Sequence, residues 1–426
     1  MRQKLSPFLA DTLWFGMTSR LSFSKFQEYA HLRAEQGFNA VQVVVGVPPE
    51  VGPYNINARG KKGPAWNLEG SFNEKFIQNC EKKIQVLNKE GLKVIIYGAW
   101  GHQINWLRGN RMKDWWDEII NRFEKYDVIF CVCGESNLWI GSSDMLLPNK
   151  STDELITQNF LKRWIYNTHF PYKSKLIKVW NNSIEKLTFK SQNKETISRR
   201  IEAWSEVLEH IQQKTNKPII IHTIPQERST DAVNNAHHLS AVTVQTGHDI
   251  ESRTRIWKEP LSVLKKDPQQ KFINLEPWYE GILNNFYTED QIFAYWASML
   301  AGASAYCYGA HGIWNIGDGN FLSHWGKQTF EEALHLSTPA LLGKSHKMFI
   351  DSGAIEFPLL EIEAPNDHLK FILRKNLKGK YIYFYPDIKQ VDKIQPAQFY
   401  YNPLTGKFLT DLPESGPLVG IGKEDY

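Results

Sequence analysis

The chain has 426 residues, of which 42% are hydrophobic and 23% charged, so it is an ordinary globular sequence that is too long for one small core. Its 50 basic and 46 acidic residues leave a formal charge of +4, which is too balanced to indicate nucleic acid or an anionic membrane as a partner. No apolar run reaches the roughly 18 residues that a membrane-spanning helix needs.

The N-terminal sequence "MRQKLSPFLADTLW" gives an expectation about localisation. It starts with basic residues but lacks the apolar core and the small-residue cleavage site of a signal peptide. As written, the chain is predicted to be cytoplasmic, and it would be periplasmic or secreted if a signal peptide had been removed. The four cysteines show no C-x-x-C or zinc-ribbon spacing, and this fits a reducing compartment.

Short apolar runs, typical of buried parallel strands, recur along the first three quarters of the chain. The eight runs cover residues 7–15, 39–47, 93–100, 127–135, 218–224, 241–248, 271–278 and 303–311. Helical patterns lie between most of them, and the first helix is predicted to begin at a Ser22 cap and end at Gly37. Eight such units predict a (β/α)8 barrel, with an open doubly wound sheet as the alternative. No G-x-G-x-x-G motif follows the first run, so a dinucleotide cofactor is not expected.

Two segments depart from this repeat. Residues 140–198 are longer than a normal connection, and we interpret them as an insertion that shapes a cleft at the end of the fourth strand. After Pro339 the sequence alternates apolar and polar residues between turns, which is typical of antiparallel strands. We therefore predict a catalytic barrel over residues 1–345 and a small β-sandwich domain over residues 346–426.

Polar and aromatic residues follow nearly every predicted strand at its carboxyl end, which is the end of a barrel that carries the active site. The set consists of Asp11, Trp14, Trp100, His102, Glu135, Asn137, Trp139, His222, Gln245, His248, Glu276, Trp278, Tyr279, His311 and Trp314. Side chains from seven strand ends indicate one shared polar pocket. Tryptophans in such a pocket suit the flat apolar faces of sugars.

Two carboxylates in this set, Glu135 and Glu276, suggest a reaction. Hydrolysis of a glycosidic bond needs two carboxyl groups that flank the anomeric carbon. Residues that follow strands 4 and 7 of one barrel face each other across its axis, so their carboxyls could lie about 5–5.5 Å apart, the spacing of retaining enzymes. The alternative is that each glutamate caps a helix or pairs with an arginine. Two glutamates at matching strand ends, each near a tryptophan, favour the catalytic interpretation.

Four strand-end histidines keep a second hypothesis open. His102, His222, His248 and His311 would also suit a metal-dependent barrel hydrolase. Such enzymes typically carry an H-x-H motif after the first strand, where this chain has Asp11 and no histidine. We therefore predict no metal and no other cofactor. A non-catalytic carbohydrate-binding protein and a matrix-binding protein that acts through residues 346–426 are the remaining alternatives.

Several motifs, taken in order, resemble the apiosidase-like glycoside hydrolases. Residues 10–14, "ADTLW", resemble the G-D-T-x-W of that family, and residues 37–42, "GFNAVQ", resemble its G-F-N-x-[IV]-Q. The later motifs "GAWG", "VCGE", "QTGH", "EPWYE" and "YGAHGIW" follow in the family's order. The resemblance covers about residues 1–140 and 215–345, and the C-terminal residues are similar to the collagen-binding-type β domain that ends many members.

This resemblance implies a retaining glycoside hydrolase that cleaves a poly- or oligosaccharide. It places the acid/base on Glu135 and the nucleophile on Glu276, while the other members of the strand-end set would contact the sugar. The family usually has aspartate where this chain has Glu135, so the resemblance does not imply apiose as the sugar.

Overall fold

The computed structural model describes residues 3–137, 146–157, 194–225, 227–357, 372–376 and 378–423. Eight parallel strands form its first sheet. They are β1 Leu9–Thr12, β2 Ala40–Val44, β3 Lys93–Tyr97, β4 Val128–Cys131, β5 Ile219–Ile220, β6 Val242–Gln245, β7 Phe272–Glu276 and β8 Ala305–Cys307. The order β5-β4-β3-β2-β1-β8-β7-β6 leaves only β5 and β6 at the edges. There the Ser240 N–H donates to the Ile219 carbonyl at 2.8 Å, and the Thr243 hydroxyl donates to the Ile221 carbonyl. The barrel is thus nearly closed, as predicted.

Helices follow most of the strands and cover the outside of the barrel. They are α1 Phe23–Glu35, α2 Glu74–Lys89, α3 Ile104–Phe123, α4 Thr152–Thr157, α5 Lys194–Lys214, α6 Ser229–Ala232, α7 Arg255–Lys266, α8 Thr288–Leu300, α9 Phe330–Leu334 and α10 Thr338–Asp351. Short 3-10 turns cover Ile56–Ala58, Gly101–Gln103, Ala236–His238, Ile250–Thr254, Ile282–Asn284, Ala354–Glu356 and Ile388–Gln390. None of the helices in the described ranges has the length and apolarity needed to cross a bilayer.

Local sequence explains why these helices form where they do. The Ser22 side chain caps α1, as its pattern predicted, and the Asn73 side chain accepts the Phe76 N–H at the start of α2. The buried face of α2 repeats at helical spacing, with Phe76, Cys80, Ile84 and Leu87 against the barrel. Burial of that stripe fixes the helix on the sheet.

Part of the predicted insertion lies over the loop that follows β2. The Gly52 N–H donates to the Lys150 carbonyl at 2.8 Å, and the Tyr54 N–H donates to the Pro148 carbonyl at 2.7 Å. The helix α4 continues from this paired segment. Residues 140–145 and 158–193 of the insertion lie outside the described residues, and so do residues 138 and 139 just before it, which include the predicted sugar contact Trp139. The described part therefore adds a wall to the carboxyl end of the barrel.

The antiparallel β domain predicted from the alternating C-terminal pattern is present. Its strands are β9 Ile372–Lys375, β10 Lys380–Tyr385, β11 Phe399–Asn402, β12 Lys407–Leu409 and β13 Leu418–Lys423, in the order β12-β11-β13-β10-β9. Trp296 of α8 stacks on Phe384 of this sheet, with ring centroids 6.2 Å apart. The predicted domain boundary at residue 345 falls inside α10. This helix packs against α8 and so belongs to the barrel.

Candidate active site

Glu135 and Glu276 both lie at the carboxyl end of the barrel. Glu276 is the last residue of β7, and Glu135 follows β4 after a continued parallel pairing in which Gly134 bridges to Trp100. A Cβ atom on Gly134 would lie 2.2 Å from the Trp100 ring, so only glycine permits this close approach. Glu135 itself has a left-handed backbone with φ 44°, which is uncommon for a residue with a side chain. The glycine and the left-handed backbone together place the Glu135 carboxyl at the carboxyl-end rim of the barrel.

Polar neighbours hold the Glu276 carboxylate. The Gln245 side-chain amide donates to its Oε1 at 2.9 Å, His248 Nε2 lies 2.8 Å from the same atom, and His222 Nε2 lies 3.7 Å from Oε2. Burial opposes ionisation, since Glu276 is only 7% exposed, but the hydrogen bond and charge of His248 outweigh it and lower the pKa of Glu276. The environment thus keeps this carboxyl ionised.

The environment of Glu135 acts in the opposite direction. Its Oε2 accepts a hydrogen bond from the Trp100 indole N–H at 2.9 Å. Burial of the carboxyl, followed by the negative charge of Glu276, raises the pKa of Glu135 to about 8. At neutral pH the pair therefore holds one proton on Glu135 and one negative charge on Glu276. Two carboxyls whose pKa values are pushed apart in this way are a known arrangement for acid and nucleophile.

Several buried polar atoms at the carboxyl end of the barrel have no hydrogen-bond partner within the described residues. They are both ring nitrogens of His222, Nδ1 of His248, Oε1 of Gln245, Nδ1 of His311 and Nε1 of Trp314. Buried polar atoms in proteins are nearly always hydrogen-bonded, so a cluster of unpaired ones needs an explanation. Burial lowers the pKa of His222 and of His311 to about 4, so both rings are neutral near pH 7 and can each donate and accept. This combination suits a ligand that carries hydroxyl groups.

Aromatic rings line the same region. The Trp14 indole N–H donates to the Tyr279 hydroxyl at 3.2 Å, and its ring meets Tyr97 edge-on with centroids 4.7 Å apart. The Tyr279 ring lies 4.6 Å from the His248 ring and 6.4 Å from that of Trp314. The predicted aromatic members Trp14, Tyr279 and Trp314 are therefore assembled beside the Glu276 partners.

The structure places two predicted sugar contacts elsewhere. The Asp11 carboxylate is fully buried and accepts hydrogen bonds from Arg33 at 2.6 Å and Tyr29 at 2.9 Å, so it points outward to α1. The Trp278 ring stacks on Phe286 with centroids 4.6 Å apart and is likewise buried. Both residues hold the barrel wall to the outer layer. Alternate residues along a strand point to opposite faces, and Asp11 of β1 occupies the outer face. Trp278 lies two residues past the end of β7, where this alternation no longer applies.

Two further members of the predicted set lie at the rim and contact protein. The Asn137 Oδ1 accepts the Ile224 N–H at 3.0 Å and so joins the loops that follow β4 and β5. His102 is buried edge-on against Trp106, with ring centroids 5.1 Å apart, and burial lowers its pKa to about 3. Neither side chain has a contact with Glu135 or Glu276 among those described.

A cluster that the sequence did not predict joins three loops at this end of the barrel. His324 Nδ1 lies 2.8 Å from Asp153 Oδ1, and the Thr152 hydroxyl donates to Glu50. Burial raises the pKa of Glu50, while the charge of His324 opposes that rise. Glu50 follows the second apolar run by three residues, which is a signal that strand-end reasoning could have used. Asp153 lies within the insertion, where no periodic pattern marks it.

Among the described residues, no three His, Cys, Asp or Glu side chains are placed to hold a metal ion. The histidines near Glu276 instead contact the carboxylate, aromatic rings or backbone groups. The metal-dependent hypothesis therefore gains no support from the described part of the chain.

Comparisons with known proteins bear on the family and the fold of this chain. A family model described as "Apiosidase-like, catalytic domain" matches residues 3–350. A solved structure titled "Glycoside hydrolase" is 15% identical with a TM-score of 0.66, covering 98% of this chain and 89% of the other. A glycoside hydrolase family 5 structure from Bacteroides vulgatus ATCC 8482 is 12% identical with a TM-score of 0.67, covering 97% of this chain and 88% of that one. At these identities the structural likeness shows the fold alone. No protein of curated function matches the chain.

Proposed function

The chain belongs to the apiosidase-like family and is a glycoside hydrolase, and we propose that it cleaves its substrate with retention through Glu276 and Glu135. The observation that carries this proposal is the pair of carboxyls with opposite pKa shifts at the ends of β4 and β7. An ionised carboxylate opposite a protonated carboxyl is the starting state that a retaining mechanism needs.

In the first step Glu276 attacks the anomeric carbon and forms a glycosyl ester. The bond to the leaving oxygen breaks, and Glu135 gives its proton to that oxygen. The ester is neutral, so the Glu276 charge that helped to raise the pKa of Glu135 disappears. Glu135 then becomes a suitable base. In the second step it takes a proton from water, which attacks the anomeric carbon and releases Glu276.

The position of Gln245 supports the short carboxyl spacing of a retaining enzyme. Its amide donates to Glu276 at 2.9 Å, and a hydrogen bond from the same side chain lowers the pKa of Glu135. A side chain that influences both carboxyls indicates that they are neighbours, and the proposed retaining mechanism predicts a separation of about 5–5.5 Å, in contrast to the roughly 6.5–9.5 Å of inverting enzymes. No room for an intervening nucleophilic water is then expected.

The unpaired polar atoms provide the proposed sugar contacts. His222, His248 and Gln245 would bind hydroxyls next to the anomeric carbon, because they already surround Glu276. His311 and Trp314 would bind hydroxyls on the β8 side through their unpaired nitrogens. Trp14 and Tyr279 are each 2% exposed, so they would support the partners of Glu276 from behind and would not stack on a sugar face. The substrate class is a poly- or oligosaccharide, and the described wall over the β2 loop bounds its cleft.

A mechanism-based label tests the mechanism directly. Wild-type protein is screened on a panel of aryl glycosides, and the best sugar is then supplied as its 2-deoxy-2-fluoro glycoside with an activated leaving group. We expect a stable covalent adduct, which peptide mass spectrometry should locate on Glu276. With an ordinary substrate, NMR should show that the product is released with unchanged anomeric configuration. The Glu280→Gln variant, altered at a buried carboxyl of the wall, should still be labelled.

Three outcomes would contradict the proposal. Release of the inverted anomer would exclude a glycosyl ester on Glu276. Stoichiometric zinc in the purified protein, with activity lost on chelation, would support a metal-dependent hydrolase instead. Oligosaccharide binding without turnover in the wild type, unchanged in Glu276→Gln, would indicate a non-catalytic binding protein.

A further inference from the structure

We infer that Trp100 is a positioning residue that fixes which oxygen of Glu135 carries the catalytic proton. This inference rests on the proposed function and assigns Trp100 a different task from the sugar stacking that the sequence suggested. The indole N–H lies 2.9 Å from Oε2 of Glu135. An indole nitrogen is a hydrogen-bond donor only, so Oε2 must be the acceptor. The acid proton is therefore left to Oε1, which is the oxygen that must reach the leaving group.

The surroundings of Trp100 prevent the indole from turning away. Its ring stacks on Tyr97 at an interplanar angle of 24° and meets Trp14 edge-on, with centroids 6.0 and 5.4 Å away. On another side the ring lies against Gly134, where a Cβ would come within 2.2 Å. The backbone is also fixed, since the Trp100 N–H donates to Gln103 Oε1 at 3.1 Å. The donor thus has one available direction, toward Glu135.

The burial of the Trp100 ring argues against a role in stacking on a sugar. Trp100 is only 2% exposed, and its neighbours are Tyr97, Trp14 and His222. A stacking platform for a sugar needs an open face of the ring, whereas an acid positioned by a hydrogen bond needs only one N–H. Positioned acids gain because the proton is already aligned when the bond breaks.

The bond also favours the charged form of Glu135, and it is one of the contacts that limit the rise in its pKa. Loss of the indole N–H should therefore raise the pKa of Glu135 further. Activity that needs protonated Glu135 would then persist to higher pH, even though the proton is less well aligned. Loss of a purely structural tryptophan would not shift the alkaline limb of the pH–rate profile, which is the fall in activity at high pH.

The test compares Trp100→Phe with Trp116→Phe. Trp116 is a buried indole of α3 that packs edge-on against Phe130. Its N–H has no partner in the described residues, and no contact described there joins it to Glu135 or Glu276. Both variants are assayed across pH with two aryl glycosides, one with a good leaving group and one with a poor one. For Trp100→Phe we expect kcat to fall about 10- to 100-fold on the poor leaving group, which is a part of the roughly 10²–10⁴-fold that general acid catalysis contributes. KM, and kcat on the substrate with the good leaving group, should change little. The alkaline limb of the pH–rate profile should move to higher pH.

Several results would overturn the inference. They are an unshifted alkaline limb, equal loss on both leaving groups, or a raised KM with kcat unchanged, which would indicate stacking on the sugar. If Trp100→Phe does not fold, 3-benzothienylalanine at this position keeps the shape and removes only the N–H, and the same criteria apply. A wild type without glycosidase activity would overturn the proposed function as well, so the two failures are distinguishable.

Discussion

Two groups of carboxyls lie on opposite faces of the barrel wall, and their charges are balanced in different ways. Asp11 and Glu276 are buried, whereas Glu135 is partly exposed. On the outer face Asp11 contacts the fully buried Arg33 at 2.6 Å, and although burial works against the guanidinium, Asp11 raises the pKa of Arg33. On the inner face Glu276 contacts two histidines and a glutamine, and Glu135 contacts an indole N–H. The outer group has a permanent countercharge, whereas the inner group can exchange one proton.

This difference separates a structural carboxylate from a catalytic one. A permanent cation stabilises the ion pair but removes any chance that the carboxylate changes its protonation. Neutral donors and histidines leave two protonation states close in free energy. Substitutions in the inner group should therefore lower activity and leave the fold stable. Substitutions in the outer group should lower stability and leave the activity of the folded protein unchanged.

The largest expected effect is that of Glu276→Gln. Removal of a nucleophile typically costs about 10⁴-fold or more in kcat. We expect kcat/KM on the best aryl glycoside to fall by about that factor, with a melting temperature equal to or above that of the wild type. The matched control is Glu280→Gln, whose carboxyl accepts bonds from Tyr308 at 2.6 Å and Thr338 at 2.8 Å and should affect stability more than activity. Equal activity losses in the two variants would contradict this contrast.

Glu135→Gln should come next, with a loss that depends on the leaving group. General acid catalysis is worth about 10²–10⁴-fold, so poor leaving groups should suffer a loss of that order and good ones much less. The same substitution should increase stability although it lowers activity. Because the folded pKa of Glu135 is raised from an ordinary 4.5 to about 8, the unfolded chain releases this proton between these values while the folded chain keeps it, and wild-type stability falls as pH rises through the interval. The variant should therefore gain melting temperature relative to wild type as pH rises across that interval, measured by calorimetry.

Arg33→Met tests the outer group. Breaking a buried ion pair from one side typically costs about 3–5 kcal/mol, because the remaining charge is left uncompensated. We expect a loss of that order in the free energy of unfolding from denaturant titration, and unchanged pH limits of activity in the folded protein. Arg122→Met removes a partly exposed pair with Glu74 and should cost about 0–1 kcal/mol. A shifted pH profile in Arg33→Met would show that the two faces are coupled.

The wild-type pH profile should be bell-shaped. Activity needs ionised Glu276, whose pKa lies below its ordinary 4.5, and protonated Glu135, whose pKa lies at about 8. Activity should hence fall by about tenfold per pH unit below the first value and above the second. Initial rates of kcat/KM from pH 3 to pH 10 measure both limits. An alkaline limb below pH 6 would argue against Glu135 as the acid.

The smallest expected effect is a shift of the acid limb in His248→Ala. Burial raises the pKa of Glu276 and the His248 contact at 2.8 Å lowers it, so removal of the ring should move the limb to higher pH. A shift of about one unit corresponds to about 1.4 kcal/mol of lost interaction. The surface variant His210→Ala, which loses only a contact to Asp117, should leave the limb in place. An unmoved limb in His248→Ala would mean that His222 and Tyr279 keep Glu276 ionised without His248.

The sequence predicted the parts of this site that follow from strand periodicity. Glu135 and Glu276 were predicted because each ends an apolar run, and parallel strands end at one rim of a barrel. Asp11 was assigned to the same rim, but all four residues of β1 are buried, so burial alone does not say which face a side chain occupies. The outward direction of Asp11 depends on Arg33, which is 22 residues away on α1.

Contacts between distant loops could not be predicted for a similar reason. Glu50, Thr152 and His324 come from three loops, and their meeting depends on how the insertion folds over β2. The role of Trp100 was likewise hidden, since a tryptophan at a strand end suits sugar stacking as well as a bond to Glu135. Only the 2.9 Å contact and its burial distinguish the two.

The contact between the barrel and the β domain has a practical consequence. Trp296 of α8 is completely buried, and it is covered by Phe384 and Tyr401 of the C-terminal sheet. A chain shortened after Asp351 would uncover this aromatic surface, and exposed apolar patches promote self-association. We therefore expect the solubility of the barrel to depend on the C-terminal sheet, and catalytic studies should keep both together.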